Sequence, residues 1–180
     1  MSEEFRMIIE TPKGAVRLRK PKVEDGSNVW DLIGRCKPLD ENSMYFNLVQ
    51  CDHFAETCIL AEQDGELIGW ISGHIPPEKP DTLFVWQVAV DGRARGMGLA
   101  HKMLDALIQR PVCDAVVRIE TTITKENDAS WALFRKFARE SDAEISDEPH
   151  FERGAHFDGA HDTEHLVSIE LEAEAERSAA

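Results

Sequence analysis

The chain has 180 residues, 42% of them hydrophobic and 30% charged, with a formal net charge of −14. That length suits one domain with a core large enough to be stable alone, and the excess of carboxylates argues against nucleic acid or an anionic membrane as partner. No apolar run approaches the ~18 residues of a membrane span, and Met-Ser-Glu-Glu-Phe-Arg at the start lacks the apolar centre of a signal peptide.

In chain order, residues 1–10 and 172–180 read as periphery of a single domain over 1–180. Ala15-Val-Arg-Leu-Arg19 alternates and predicts a first strand. A helix is expected from Pro21 to about Cys36, with Val29, Trp30, Leu32 and Ile33 apolar, and a short helix or turn from Tyr45 to Cys51. Two strands, Cys58–Glu62 and Glu66–Ile75, flank Asp64-Gly65, a hairpin signal. After the Pro-rich loop 76–80 come a hydrophobic strand, Leu83–Val90, and a helix to about Arg110 carrying Leu99, Met103, Leu104, Leu107 and Ile108. Further strands are expected at Ala115–Ile123, Ala143–Ser146 and His165–Leu171. Between the first two lies a helix with Trp131, Leu133, Phe134 and Phe137, and a loop covers Asp147–Glu164. This alternation predicts an α/β fold with a mixed central sheet of about six to seven strands flanked by helices. The four cysteines (36, 51, 58 and 113) have no Cys-x-x-Cys spacing, and reduced, mostly buried thiols in a cytoplasm account for them.

The stretch with most chemical content is Val88-Ala-Val-Asp-Gly-Arg-Ala-Arg-Gly-Met-Gly-Leu-Ala100. A strand ends, and Arg93, Arg95, Gly96 and Gly98 lead into a helix. Glycines let backbone approach a ligand closely, first-turn N–H groups point at it, and arginines add charge-assisted contacts to phosphate. The pattern predicts a pyrophosphate cradle. No Gly-Lys-Ser/Thr follows, so it is not a Walker loop, and the spacing is not that of a dinucleotide fingerprint. A tight strand-to-helix turn with surface arginines is the alternative.

Arg93-x-x-Gly96-x-Gly98 after alternating Val88 and Val90 resembles the acetyl-CoA motif of the GCN5-related N-acetyltransferases (GNAT). The resemblance implies the GNAT fold and acetyl-CoA as co-substrate, held by Gln87, Val88, Ala89, Val90, Arg93, Arg95, Gly96, Met97, Gly98, Leu99 and Ala100. It also implies that a peptide N–H near Gln87 or Val88 polarises the thioester carbonyl. Asn127 matches a coenzyme-contacting asparagine, although a helix cap explains it equally well. Glu120, on the strand after the cradle helix, is the candidate base for an amine whose solution pKa is ~10, acting directly or through water. Its alternative is a carboxylate at a solvent edge. Many family members carry a tyrosine that protonates the departing thiolate. Phe134 stands in its place here and is counted with the coenzyme-binding positions. Tyr45, the chain's only tyrosine, water or the acylated amine is then the proton source.

A narrower resemblance rests on Leu39-Asp-Glu-Asn-Ser-Met-Tyr-Phe46, Asp52-His-Phe-Ala-Glu-Thr-Cys58, Ile75-Pro-Pro-Glu78, Phe84-Val-Trp-Gln87 and His161-x-x-Glu164. From about Val16 to Leu171 the chain is similar to the L-2,4-diaminobutyrate acetyltransferases of ectoine synthesis. The resemblance implies transfer of acetyl to the γ-amine of that diamino acid, and a homodimer. Selecting the γ-amine requires the α-ammonium and α-carboxylate to be held elsewhere. Asp40 and Glu164 are candidate ammonium acceptors, Asn42, Ser43 and His161 candidate carboxylate donors, and Trp86 a candidate wall. A turn after Pro38, a core tryptophan and an exposed loop histidine are the ordinary alternatives. No metal is expected, because His161-x-x-x-His165 falls where a loop enters a strand. Two rivals keep the coenzyme site: acetylation of a polyamine or protein terminus, and an acyl-CoA sensor without turnover.

Overall fold

The computed structural model describes residues 6–171, which fall into two compact units: the chain to His74 with Trp86–Cys113, and Ile75–Val85 with the chain from Asp114 on. Its strands form a mixed sheet of eight.

In the first unit β1 (Arg6–Thr11), β2 (Gly14–Arg19), β3 (Ile59–Gln63) and β4 (Glu66–His74) are antiparallel neighbours, each pairing with the next. Helix α1 (Gly26–Arg35) follows a 3₁₀ turn, α2 (Met44–His53) follows the loop after it, and α3 (Leu99–Ile108) follows β5 (Thr82–Val90). Asp64 and Gly65 both take positive φ, 52° and 80°, as the primed turn of a two-residue hairpin requires. β4 is buried on both faces, which explains its nearly unbroken apolar run. On one face a Cβ at Gly69 would lie 2.7 Å from Met103 Sδ and 3.0 Å from Ala61 Cβ, so a larger residue there would displace the Met103 side chain of α3. On the other, Trp70 joins Val29, Leu32, Ile33, Cys51, Cys58 and Leu60 in one cluster. Each such side chain contributes about 1.5–3 kcal/mol through burial.

All four cysteines are buried and in no disulfide. Burial pushes the thiols of Cys51 and Cys58 up to about 12. Arg19 grips both Asp25 (2.7 and 2.8 Å) and Glu62 (3.0 Å). Burial raises the Asp25 carboxyl, but the bonds from Arg19 and the Lys22 N–H outweigh that and leave it below its ordinary value.

In the second unit the N-terminal half of β5 runs parallel to β6 (Arg118–Thr124), with Phe84 opposite Glu120. β8 (Glu164–Glu170) is antiparallel to β6, and β7 (Glu144–Phe151) is antiparallel to β8. Helix α4 (Asp128–Glu140) starts at Asn127 and buries Trp131, Phe134, Phe137 and Ala138.

The strand count exceeds the expected six to seven because β1 precedes the strand predicted first. β1 is an edge strand with only half-buried positions on its inner side, and Met-Ile-Ile masks its alternation; Ile8 is 70% exposed. β7 also extends past Ser146 into the expected loop. Asp147, Glu148 and Pro149 are exposed and pair with Val167, Leu166 and His165, with the Asp147 carboxylate 3.0 Å from His165 Nδ1, contacts without an apolar signature. β6 starts at Arg118 rather than Ala115, after a 3₁₀ turn at Pro111–Cys113. Residues 1–5 and 172–180, expected to be peripheral, lie outside the described residues.

Candidate active site

The cradle is built by the first unit. β5 ends at Val90, and the carboxylate of Asp91 after it accepts from the Arg93 N–H at 2.9 Å and the Arg93 Nε at 3.2 Å, with Arg35 Nε at 3.4 Å on its other oxygen. The Arg93 backbone bond, opposed by burial and helped by the Arg93 side chain, holds Asp91 below its ordinary value. Arg93 also pairs with Glu66. Its guanidinium thus lines an open groove of about 580 Å³ with Asn28, Asp31, Arg35 and Glu66. This differs from the expectation that both arginines are simply phosphate ligands: Arg93 is tied to two carboxylates, while the Arg95 side chain is exposed.

Gly96 and Gly98 take φ of 79° and 67°, and a Cβ on either would point into open space. That combination fits a cradle a ligand fills, since the left-handed backbone favours glycine and the vacancy lies on its side-chain side. The Lys102 N–H bonds to Gly98 O as α3 begins, and the N–H groups of Leu99 and Ala100 lie at the helix N-terminus. Ala89, Met97 and Leu99 are buried in the core, so they contribute to the cradle by backbone; Val88, Val90 and Ala100 are half-buried.

The same unit gathers most of the predicted amine-side residues. Trp30 Nε1 donates to the Asn42 carbonyl at 2.9 Å, Asn42 Nδ2 donates to Gln87 Oε1 at 3.1 Å, and Gln87 Nε2 donates to the Asp40 carbonyl at 3.0 Å. The loop from Asp40 to Asn42 is therefore fastened to β5 through a side chain that sequence reasoning credited only with backbone contacts. Asn42 has one amide hydrogen bond committed to that lock. Ser43 caps α2, its Oγ accepting from the Phe46 N–H at 3.1 Å, and retains its own hydroxyl proton as a donor. Trp86 is 52% exposed and leans on Phe46 with ring centroids 5.3 Å apart, so it is not a core tryptophan. Tyr45 is 75% exposed on the first turn of α2.

In the second unit Glu120 is 5% exposed rather than at a solvent edge, and Lys79 Nζ lies 2.9 Å from both its oxygens. Lys79 had no sequence signal beyond its place in the Pro-rich loop. A buried carboxylate needs such a counter-charge, because an unpaired ion there costs several kcal/mol. Asn127 Oδ1 accepts from the Ser130 N–H at 3.1 Å, the cap that its position suggests. Phe134 is 2% exposed within the packing of α4. His161 Nε2 lies 3.8 Å from Glu164 Oε1, its ring against Phe157 at 4.7 Å, and Arg153 ties the loop between them to Asp162 at 2.7 Å. Among the described residues no group of three or more His, Cys, Asp or Glu could hold a metal ion, and no helix is long and apolar enough to cross a membrane.

The chain is similar to known proteins along most of its length. The acetyltransferase (GNAT) family model matches residues 27–138. The chain is 50% identical over 154 residues to an L-2,4-diaminobutyric acid acetyltransferase from Methylotuvimicrobium alcaliphilum, covering 86% of this chain and 90% of that one. It is 45% identical over 168 residues to the protein of that name from Vibrio cholerae, covering 93% and 97%. Among solved structures it superposes on the diaminobutyrate acetyltransferase of Paenibacillus lautus in complex with its substrate L-2,4-diaminobutyric acid and coenzyme A. That match has a TM-score of 0.83 at 38% identity over 87% of this chain and 95% of the other.

Proposed function

Because the chain belongs to the acetyltransferase (GNAT) family, and within it to the L-2,4-diaminobutyrate acetyltransferases, we propose that it moves acetyl from acetyl-CoA to the γ-amine of L-2,4-diaminobutyrate. The product then serves the synthesis of the compatible solute ectoine. The observation that carries this reading is the 45% and 50% identity to proteins of that name over most of the chain, joined to a glycine cradle whose open side suits a pyrophosphate. The family match runs through both units, which supports one acetyltransferase domain.

Acetyl-CoA supplies the activated acetyl thioester. The chain's own groups do the rest. N–H groups at Gly96 and the α3 N-terminus, with the Arg95 guanidinium, hold phosphate oxygens. The backbone from Gln87 to Val90 pairs with the pantetheine arm, and the Val88 N–H donates to the acetyl oxygen. Glu120 takes the proton from the γ-ammonium directly or through water, and Lys79 balances its buried charge. On the amine side Asp40 and Glu164 receive the α-ammonium. Ser43, His161 and the remaining Asn42 N–H donate to the α-carboxylate, with Trp86 as the wall. Tyr45 is the one side chain of the family's proton-donor chemistry in the sequence. The reading places the enzyme in the cytoplasm as a homodimer without nucleic acid, membrane or metal. Four buried thiols in no disulfide and the resemblance to the family support this placement.

The test is coenzyme A release with diaminobutyrate beside ornithine, lysine, spermidine and no amine, with NMR of the product. Preference for diaminobutyrate with acetyl on the γ-nitrogen is expected. Equal rates across the amines would discard the substrate assignment.

A further inference from the structure

The β1–β2 hairpin carries a lysine that nothing above uses. Lys13 Nζ donates to the carbonyls of Arg93 (2.6 Å) and Arg95 (3.3 Å), eighty residues on in the chain. Its own turn is fixed from several sides. The Lys13 N–H donates to Thr11 Oγ1 at 3.2 Å, and the Thr11 hydroxyl donates to the Gly14 carbonyl at 2.6 Å. Gln63 Nε2, from the end of β3, donates to the Lys13 carbonyl at 2.9 Å. Lys102 of α3 adds a second tie, its Nζ donating to the Glu10 carbonyl at 2.7 Å. Two lysines therefore join one hairpin to both the loop and the helix of the cradle.

The two carbonyls that Lys13 holds determine where the loop's amides point. In a trans peptide the C=O of one residue and the N–H of the next face opposite ways. Drawing the Arg95 carbonyl toward the hairpin turns the Gly96 N–H away from it. The Arg93–Ala94 peptide is pinned at both ends, since the Ala94 N–H donates to the Asp91 carbonyl at 2.9 Å.

We propose that Lys13 is a positioning residue for the coenzyme: by holding the Arg93 and Arg95 carbonyls it presets the Gly96 N–H toward the pyrophosphate, so that the cradle needs no ordering when acetyl-CoA binds. The proposal rests on reading 93–100 as the coenzyme cradle. A preset donor removes an ordering cost from binding and leaves the chemical step untouched.

The test compares two thioesters. Lys13→Ala is expected to weaken coenzyme A binding and raise KM for acetyl-CoA by roughly three- to tenfold, the range for a charge-assisted bond at an exposed position. It should leave kcat within about twofold. For S-acetylpantetheine, which has no pyrophosphate, kcat/KM should not change, and Lys13→Arg should recover most of the coenzyme affinity. Unchanged coenzyme affinity in Lys13→Ala, or an equal loss with both thioesters, would overturn the proposal, the second because it marks a general disturbance of the unit. The same loss vanishing with 3′-dephospho-coenzyme A would also overturn it, since Lys13 would then serve the 3′-phosphate. Gly96→Val run alongside separates the two ideas: if it binds coenzyme A normally, the cradle reading itself fails.

Discussion

The cradle and the amine-side loop lie in the same unit but are specified in opposite ways. The cradle presents backbone: two glycines at positive φ, an open helix end, and side chains turned to structural work, with Arg93 on Asp91 and Glu66 and with Met97 and Leu99 in the core. The loop from Asp40 to Phe46 is shaped by side chains, through Gln87, Asn42, Trp30 and the Ser43 cap. A ligand read by backbone tolerates change in most neighbouring side chains and fails at the glycines. A ligand read from a side-chain lock fails wherever a member of the lock is cut.

Gly96→Val breaks the comparison hardest. A branched side chain is strained at φ 79° and fills the open side of the cradle. Coenzyme A affinity, measured by calorimetry, should fall roughly a hundredfold. Gln87→Leu attacks the other side. It should raise KM for diaminobutyrate about tenfold, the equivalent of one hydrogen-bonded lock at about 1.4 kcal/mol, and leave KM for acetyl-CoA unchanged. Adding Asn42→Ala should cost much less than the sum of the two single changes, because both cut the same bond; full additivity would dissolve the lock.

Acid sharpens the contrast. The Asp91 carboxyl lies below its ordinary value in the folded protein, so the stability it contributes is present above the unfolded pKa of ~3.9 and is lost as pH falls through the folded value. Protection factors for amide exchange over 91–98, referred to the intrinsic rate at each pH, should therefore fall under acid, and Asp91→Asn should show the lower protection already at neutral pH. The smallest effect is expected of Arg93→Gln: under about threefold on coenzyme affinity, and less than Arg95→Gln, whose effect should shrink with salt. A larger loss for Arg93 would put its guanidinium on the phosphates.

This division also explains what could be read from the residues alone. Strand, glycines and amphipathic helix fall within one local stretch, so the cradle was legible from spacing, and the alternation of elements gave the α/β sheet. The family resemblance supplied the reaction and the amine-side candidates. The bonds Asn42–Gln87, Lys79–Glu120 and Lys13–Arg93 were not legible, because each joins residues about 40 to 80 positions apart by one polar contact. Such contacts leave no periodicity. β1 and the outer half of β7 were missed for a related reason: edge strands are held by backbone bonds and carry little apolar signal.

The buried thiols of the first unit have a practical consequence. With Cys51 and Cys58 pushed up to about 12 by burial, both stay protonated thiols at pH 7. Alkylating reagents can then mark these sulfurs only after the cluster around Trp70 has opened. The rate at which the native protein takes up iodoacetamide becomes a clock for opening of that core, read residue by residue in a mass spectrometer without an engineered probe.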